Sequence, residues 1–339
     1  MSLALRWPEP LQPGDRVQLV AASSALLGDA AQARLQAGIA VLESWGLQVE
    51  RDPLHGRQWG YLAGRDPERR GDLEAAARRG AELLACVRGG WGAARLLEQP
   101  LELQPRWLLG FSDVTSLLWA QLAQGQGGAI HGPLLTTLAA EPAWSQERLR
   151  ALLFGEPLAD LHGEGWWGGQ AEGPLLAANL TVATHLLGTP HLPDLRGAIL
   201  VLEDVGEAPY RIERMLTHWR LSGALQQLAG IGLGQFTECS DERSPQPPVS
   251  VCETACETQP ETPRATRPGT PREPGLQHAT ATQPDRFSLE QVMRERTADL
   301  GIPVVSNLPV GHVAGNAALP LGVWARLDAG SGRLRVSPT

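Results

Sequence analysis

The chain has 339 residues, 42% of them hydrophobic, which is enough for two compact domains with real cores and excludes a disordered chain as a whole. A net charge of -8, with 29 scattered Lys and Arg against 37 Asp and Glu, excludes the cationic surplus that a nucleic-acid binder needs to neutralise phosphates. Four cysteines (Cys86, Cys239, Cys252, Cys256) are too few for a disulfide framework, no stretch is long and uncharged enough to span a bilayer, and Met1 to Pro10 has no signal-length apolar run, so the expectation is a cytoplasmic protein without membrane partners.

In chain order, Val17 to Ala22 reads as a buried strand, followed by a Ser23-Ser24 turn placed to cap what comes next. Ala30 to Trp45 sets Leu35, Ile39, Leu42 and Trp45 on one helical face, and Gly46 stops it. Leu47 to Glu50 begins a second strand, Asp72 to Arg79 reads as a helix, Leu83 to Val87 as a third strand and Trp107 to Phe111 as a fourth. This alternation is the pattern of parallel βαβ units, whose sites form beyond the carboxyl ends of the strands. Arg88-Gly89-Gly90-Trp91-Gly92 and Ser112-Asp113 both fall at that edge.

The Trp- and Gly-rich passage from Glu141 to Gly173 reads as the way into a second domain, giving expected units of 1–145, a linker 146–172, and 173–339. There, Leu180 to Leu187 reads as a helix, Ala198 to Leu202 as a strand and Ile212 to Leu221 as a helix. From Ser240 to Arg286 nine prolines with many Thr, Glu and Gln leave almost no large apolar residue, so 240–286 reads as a disordered insertion. Ser288 to Met293 then starts a helix with Ser288 at its N-cap, and short strands with Gly and Pro turns run from Val304 to Val336.

Three polar residues follow apolar strands: Ser112 after Leu108-Leu109-Gly110-Phe111, Glu203 after Ile199-Leu200-Val201-Leu202, and His312 after the run from Val304 to Gly311. A serine hydroxyl becomes a nucleophile when an imidazole takes its proton, and a carboxylate fixes that imidazole's tautomer and stabilises its cation. Ser112, His312 and Glu203 fit those roles, with the backbone N–H groups of Gly90 and Asp113 as candidate oxyanion donors. Taken singly, each also has an ordinary reading: a helix cap, a solvated or Arg-paired carboxylate, and a loop histidine. The glycines at 89, 90 and 92 lack the spacing and the Lys-Ser/Thr of a phosphate loop. Val114 stands where the elbow of an α/β-hydrolase needs glycine.

These segments and their flanks resemble the LD-carboxypeptidase family of serine peptidases, which includes murein tetrapeptide carboxypeptidases and microcin C immunity peptidases. The resemblance rests on Val87-Arg88-Gly89-Gly90-Trp91-Gly92-Ala93-Ala94-Arg95-Leu96-Leu97, Gly110-Phe111-Ser112-Asp113-Val114-Thr115, His131-Gly132-Pro133, Asn179-Leu180, Leu187-Gly188-Thr189-Pro190, the stretch from Leu202-Glu203-Asp204 through Leu216, Gly311-His312 and Leu319-Pro320-Leu321-Gly322. It implies an α/β chain with a flavodoxin-like N-terminal domain bearing the nucleophile and a smaller mixed α/β C-terminal domain of swivelling β/α type. That second domain supplies Glu203 and His312. It further implies a homodimer, no metal or cofactor, and hydrolysis of the amide between an L-centre and a C-terminal D-residue of a murein tetrapeptide. Gly89, Trp91 and Asn179 are then candidate substrate contacts, and Arg88, Arg211 and Arg214 are candidates to grip the substrate's terminal carboxylate. Ala177-Ala178 departs from the family's Gly-Gly, which adds methyl groups beside Asn179.

Two other functions are open on the residues. One keeps the triad and cleaves peptidyl or aminoacyl adenylates, with Trp91 or Trp166 as a purine platform. The other is a non-catalytic scaffold that presents the Pro/Thr-rich insertion to a partner. Cys252, Cys256 and His278 match no common zinc spacing.

Overall fold

The computed structural model describes residues 5–51, 54, 56–240 and 287–337, so the expected insertion lies outside the described residues apart from Ser240. The first sheet is built from β1 (Arg16–Val20), β2 (Gln48–Glu50), β3 (Leu83–Cys86), β4 (Trp107–Gly110) and β5 (Ala129–His131). β3 and β4 are apolar throughout, and β1 is apolar after Arg16 except for buried Gln18, because helices cover both faces of the sheet. Those helices include α1 (Asp29–Ser44), α2 (Asp66–Arg79), α3 (Thr115–Ala123), α4 (Leu135–Leu138) and α5 (Ala143–Leu153). The five strands are parallel in the order 2-1-3-4-5, the flavodoxin-like order.

The second sheet follows with β6 (Leu161–His162), β7 (Glu164–Trp167), β8 (Gln170–Asn179), β9 (Ile199–Val205), β10 (Gly230–Thr237) and β11 (Val304–Ser306), interleaved with α6 (Leu180–Leu186), α7 (Pro209–Leu221) and α8 (Leu289–Thr297). Next comes β12 (Leu319–Pro320), which leaves this half of the chain and pairs antiparallel with β5 of the first sheet. The chain closes with β13 (Trp324–Asp328) and β14 (Arg333–Val336) back in the second sheet, whose order is β6-β14-β13-β8-β9-β10-β11-β7. Its centre, β8-β9-β10-β11, is parallel and its flanks are antiparallel.

Several boundaries differ from the sequence reading for identifiable reasons. α2 begins at Asp66, six residues early, because Pro67 sits in its first turn and the Glu68 carboxylate accepts from Arg65 N–H at 2.6 Å. Ser23-Ser24 caps no helix: α1 starts after Gly28, and Ser24 Oγ instead accepts from Trp91 N–H at 3.1 Å. The cap of α8 is Ser288, with Gln291 as its reciprocal partner (Gln291 N–H to Ser288 Oγ, 3.1 Å). Residues 146–172 hold most of α5, both β6 and β7, and the first residues of β8.

The two sheets are joined through α3. Trp119 on α3 is fully buried, donates Nε1–H to Ala177 O at 3.0 Å and meets Trp219 of α7 edge-on at 6.3 Å. Thr115 Oγ1, at the start of the same helix, accepts from Asn179 N–H at 3.1 Å. The helix that follows Ser112 therefore packs directly on the strand beside the one bearing Glu203.

Candidate active site

Ser112 stands at the carboxyl end of β4, on a single 3-10 turn (Ser112–Val114) that runs into α3. Its φ of 61° is the left-handed conformation, which a non-glycine residue adopts only where its surroundings enforce it. The turn lifts the hydroxyl off the sheet edge while β4 and α3 stay packed. Gly89 lies against it: a Cβ built there would stand 3.3 Å from Ser112 Oγ, so a side chain would crowd the hydroxyl. The Asp113 carboxylate points the other way and accepts from Ala93 N–H at 2.8 Å, tying the Arg88–Gly92 loop to the serine turn. Burial pushes the Asp113 carboxyl above its ordinary range.

Glu203 and Asp204 are neighbours on β9 and therefore face opposite ways. Asp204 accepts from Asn179 Nδ2 (2.9 Å), Thr181 N–H (2.9 Å), Thr181 Oγ1 (2.8 Å) and Val205 N–H (2.8 Å), a closed network around the start of α6. Glu203, fully buried, turns toward the serine, with its Oε2 2.7 Å from His312 Nδ1. His312 Nε2 is in turn 3.2 Å from Ser112 Oγ. Serine, imidazole and carboxylate thus form one line of hydrogen bonds drawn from both sheets.

Phe111 braces the imidazole, with ring centroids 4.7 Å apart. Gly311, at φ 123°, lets the loop bearing His312 pass over the acid: a Cβ there would come within 2.8 Å of Glu203 Cβ.

Sequence reasoning assigned no role to His131, which is fully buried at the end of β5 with Nε2 3.8 Å from Glu203 Oε1. That is beyond hydrogen-bond reach and within ion-pair reach of a protonated ring. Burial works to raise the Glu203 carboxyl, but His131 and His312 together hold it below the ordinary glutamate range. The only sequence signal for His131 was its place in the His-Gly-Pro segment.

The expected substrate contacts separate in space. Gly89 and exposed Trp91 are on the loop beside Ser112. Arg88 shares that loop and donates Nη1–H to Ala25 O at 2.8 Å. Arg211 and Arg214 are exposed on α7; Arg211 reaches Glu207 at 3.4 Å and Tyr210 Oη at 3.1 Å, and Arg214 lies over the Tyr210 ring. Asn179 is 4% exposed, its Oδ1 caps α6 by accepting from Val182 N–H at 3.1 Å, and its Nδ2 donates to Asp204 at 2.9 Å, so its side chain is engaged at the start of that helix. Ala177 and Ala178 are buried in the contact between the sheets, so their methyl groups meet protein.

Among the described residues no group of three or more His, Cys, Asp or Glu side chains converges as a metal site, and no helix is long and apolar enough to cross a membrane. Cys252, Cys256 and His278 lie outside the described residues. The Cys86 thiol, fully buried at the end of β3, is pushed far above its ordinary range by that burial.

The chain matches two family sequence models, the LD-carboxypeptidase N-terminal domain over residues 17–132 and the LD-carboxypeptidase C-terminal domain over 172–264 and 269–327. It is 45% identical to a putative carboxypeptidase of Synechocystis over 96% of each chain, and 33% identical to the murein tetrapeptide carboxypeptidase of Pseudomonas aeruginosa over 94% of each. Among solved structures, the muramoyltetrapeptide carboxypeptidase of Oxalobacter formigenes superposes with a TM-score of 0.71 at 24% identity, covering 95% of this chain and 97% of that one. A microcin C7 self-immunity protein superposes at 0.74 and 19% identity, covering 98% of each, so the two share this two-domain α/β fold. The N-terminal match contains Ser112 and the C-terminal match contains Glu203 and His312, and with both halves matched in order the chain belongs to the LD-carboxypeptidase family and is a peptidase.

Proposed function

We propose that the chain is a serine LD-carboxypeptidase that removes the C-terminal D-residue from murein tetrapeptides by an acyl-enzyme route. The observation that carries this reading is the continuous line Ser112 Oγ to His312 Nε2 (3.2 Å) and His312 Nδ1 to Glu203 Oε2 (2.7 Å). His312 takes the Ser112 proton as the hydroxyl oxygen attacks the scissile carbonyl. The tetrahedral oxyanion rests on Gly90 N–H and Asp113 N–H, the latter in the first turn after β4, where helix donors have no partner in their own helix. The imidazolium then gives its proton to the leaving amine of the D-residue. Water, deprotonated by the same imidazole, releases the acyl group and restores Ser112.

Glu203 holds the Nδ1–H tautomer and stabilises the imidazolium, and it stays ionised because its two histidines outweigh its burial. Arg88, Arg211 and Arg214 are the candidates for the terminal carboxylate: Arg88 adjoins Gly89 at the serine and is bonded to Ala25 O, and Arg211 is bonded to Glu207 and Tyr210. The murein tetrapeptide substrate comes from the relative in Pseudomonas aeruginosa, whose name states it, and cleavage before a D-residue is what the family resemblance implies. A role in peptidoglycan turnover in the cytoplasm, as a homodimer, completes the proposal.

Incubation with a murein tetrapeptide, with D-alanine followed by mass spectrometry, tests it. Ser112→Ala, His312→Ala and Glu203→Ala should each lose about 10³-fold or more in kcat. Undiminished release by Ser112→Ala sinks the mechanism. Release from an aminoacyl adenylate in preference to the tetrapeptide keeps the triad and replaces the substrate.

A further inference from the structure

One buried carboxylate outside this line is attached to it. Glu141 lies between α4 and α5, in the half of the chain that bears Ser112, and is 8% exposed. Its Oε2 accepts two backbone N–H groups from the far half: Gly315 at 2.7 Å and Asn316 at 3.0 Å. The Asn316 side chain carries the link onward, with Oδ1 accepting from Gly311 N–H at 2.9 Å. Gly311 immediately precedes His312.

The neighbours of Glu141 grip the same loop. Ser145 Oγ–H donates to Asn316 O at 2.9 Å, Arg148 Nε–H donates to Ala318 O at 2.9 Å, and the Trp144 ring lies against Gly315, where a Cβ would stand 2.6 Å from Cζ2. From the other side β10 holds the loop through Gln235 N–H to Val310 O (2.8 Å) and Thr237 Oγ1 to His312 O (3.0 Å).

We propose that Glu141 is a positioning residue for the hydrolysis: through Gly315, Asn316 and Gly311 it fixes the loop 311–316 so that His312, borne by the C-terminal half, stands at hydrogen-bond distance from Ser112 of the N-terminal half. The inference rests on the serine–histidine–glutamate reading above. β10 alone fixes the loop relative to Glu203, since β9 and β10 are paired neighbours. Relative to Ser112, which belongs to the other sheet, that fixes the loop only indirectly, through the packing of α3 on β8. Glu141, with Ser145 and Arg148 beside it, ties the loop directly to the half that bears Ser112. A carboxylate suits the task because it is an acceptor with no competing donor, and its charge strengthens both N–H bonds in a site shielded from water. Glu141 touches none of Ser112, His312 and Glu203, so its effect passes entirely through the loop.

The test compares Glu141→Ala, Glu141→Gln and Asn316→Ala in the full-length protein. It uses kcat and KM on murein tetrapeptide, the rate at which a fluorophosphonate labels Ser112, and the far-downfield proton resonance of the His312–Glu203 hydrogen bond. A displacement of about 1 Å at a reacting group costs on the order of 10²-fold. Glu141→Ala and Asn316→Ala should therefore lose roughly 10- to 100-fold in kcat and in labelling rate with KM little changed, and the downfield resonance should broaden. Glu141→Gln, which keeps an acceptor oxygen, should recover most of the rate.

Folded Glu141→Ala and Asn316→Ala proteins with wild-type labelling and an intact resonance overturn the proposal. If Glu141→Ala does not fold, Asn316→Ala decides alone, because it removes only the link to Gly311. A wild-type protein unlabelled at Ser112 overturns the underlying reading instead, so the two failures are distinguishable.

Discussion

Glu203 combines full burial with a carboxyl held below its ordinary range, and the sign of each effect sets its pH behaviour. Burial alone would favour the protonated acid. His131 and His312 favour the anion and win, so the stabilisation Glu203 contributes is present above the ordinary glutamate value and is lost as pH falls through the lower, folded value. Glu203→Gln should lower kcat about 10³- to 10⁴-fold near neutrality, because the amide no longer holds the imidazole in its working tautomer. Urea titrations across the acid range should also show that the variant lacks the part of the stability loss that wild type shows below the ordinary glutamate value. A variant with wild-type kcat removes Glu203 from the reaction. Asp204, one residue on, has its carboxyl raised by burial and is committed to Asn179 and Thr181, so it does not substitute for Glu203.

At the scale of elements, α3 joins the serine turn to the second sheet. Trp119 is its fully buried anchor, against Ala177 O and Trp219. Trp119→Ala should cost about 3–5 kcal/mol of unfolding free energy, read from a chemical denaturation curve, through the cavity and the orphaned carbonyl. A loss under about 1 kcal/mol would mean the helix is held elsewhere.

The elements also show which parts of the fold were legible in the sequence. β1, β3 and β4 read clearly because each is a mostly apolar run, broken in β1 only by Arg16 and Gln18, and ended by a polar or glycine-rich turn. β8 did not: its first residues, Gln170 to Pro174, are polar, glycine and proline, and its partners β9 and β13 are distant in the chain. Three-residue β5 was equally silent, and with it the position of His131. Ser112, Glu203 and His312 could be singled out because each follows an apolar run, although β9 continues through Glu203 to Val205 and β11 ends at Ser306. That Asn179 Nδ2 is bonded to Asp204, and that Glu141 is bonded to Gly315 and Asn316, are facts of chain segments meeting in space, which no local spacing encodes.

In the whole molecule the two sheets are built from a chain that crosses between them more than once. β8 through β11 form the second sheet, β12 returns to the first, and β13 returns to the second. A fragment ending near residue 150 would therefore contain every parallel strand of the flavodoxin-like order and still be incomplete. Its β5 edge, covered in the full chain by Leu319 and Pro320, would present open backbone donors and acceptors, and the face of α3 that packs on Ala177 would be bare. Expressed alone, such a fragment should aggregate, as light scattering would report, while the full chain does not; a stable, monomeric fragment would refute this.

Two residues of β12 thus make the sheet that carries the serine depend on the arrival of sequence some two hundred positions later. During synthesis the first sheet waits with an unfinished edge until the loop bearing His312 has been made. The strand that seals that edge, Leu319–Pro320, and the imidazole that stands beside the serine, His312, lie in the same late stretch of chain, so the edge of the sheet and the neighbour of the hydroxyl are supplied together.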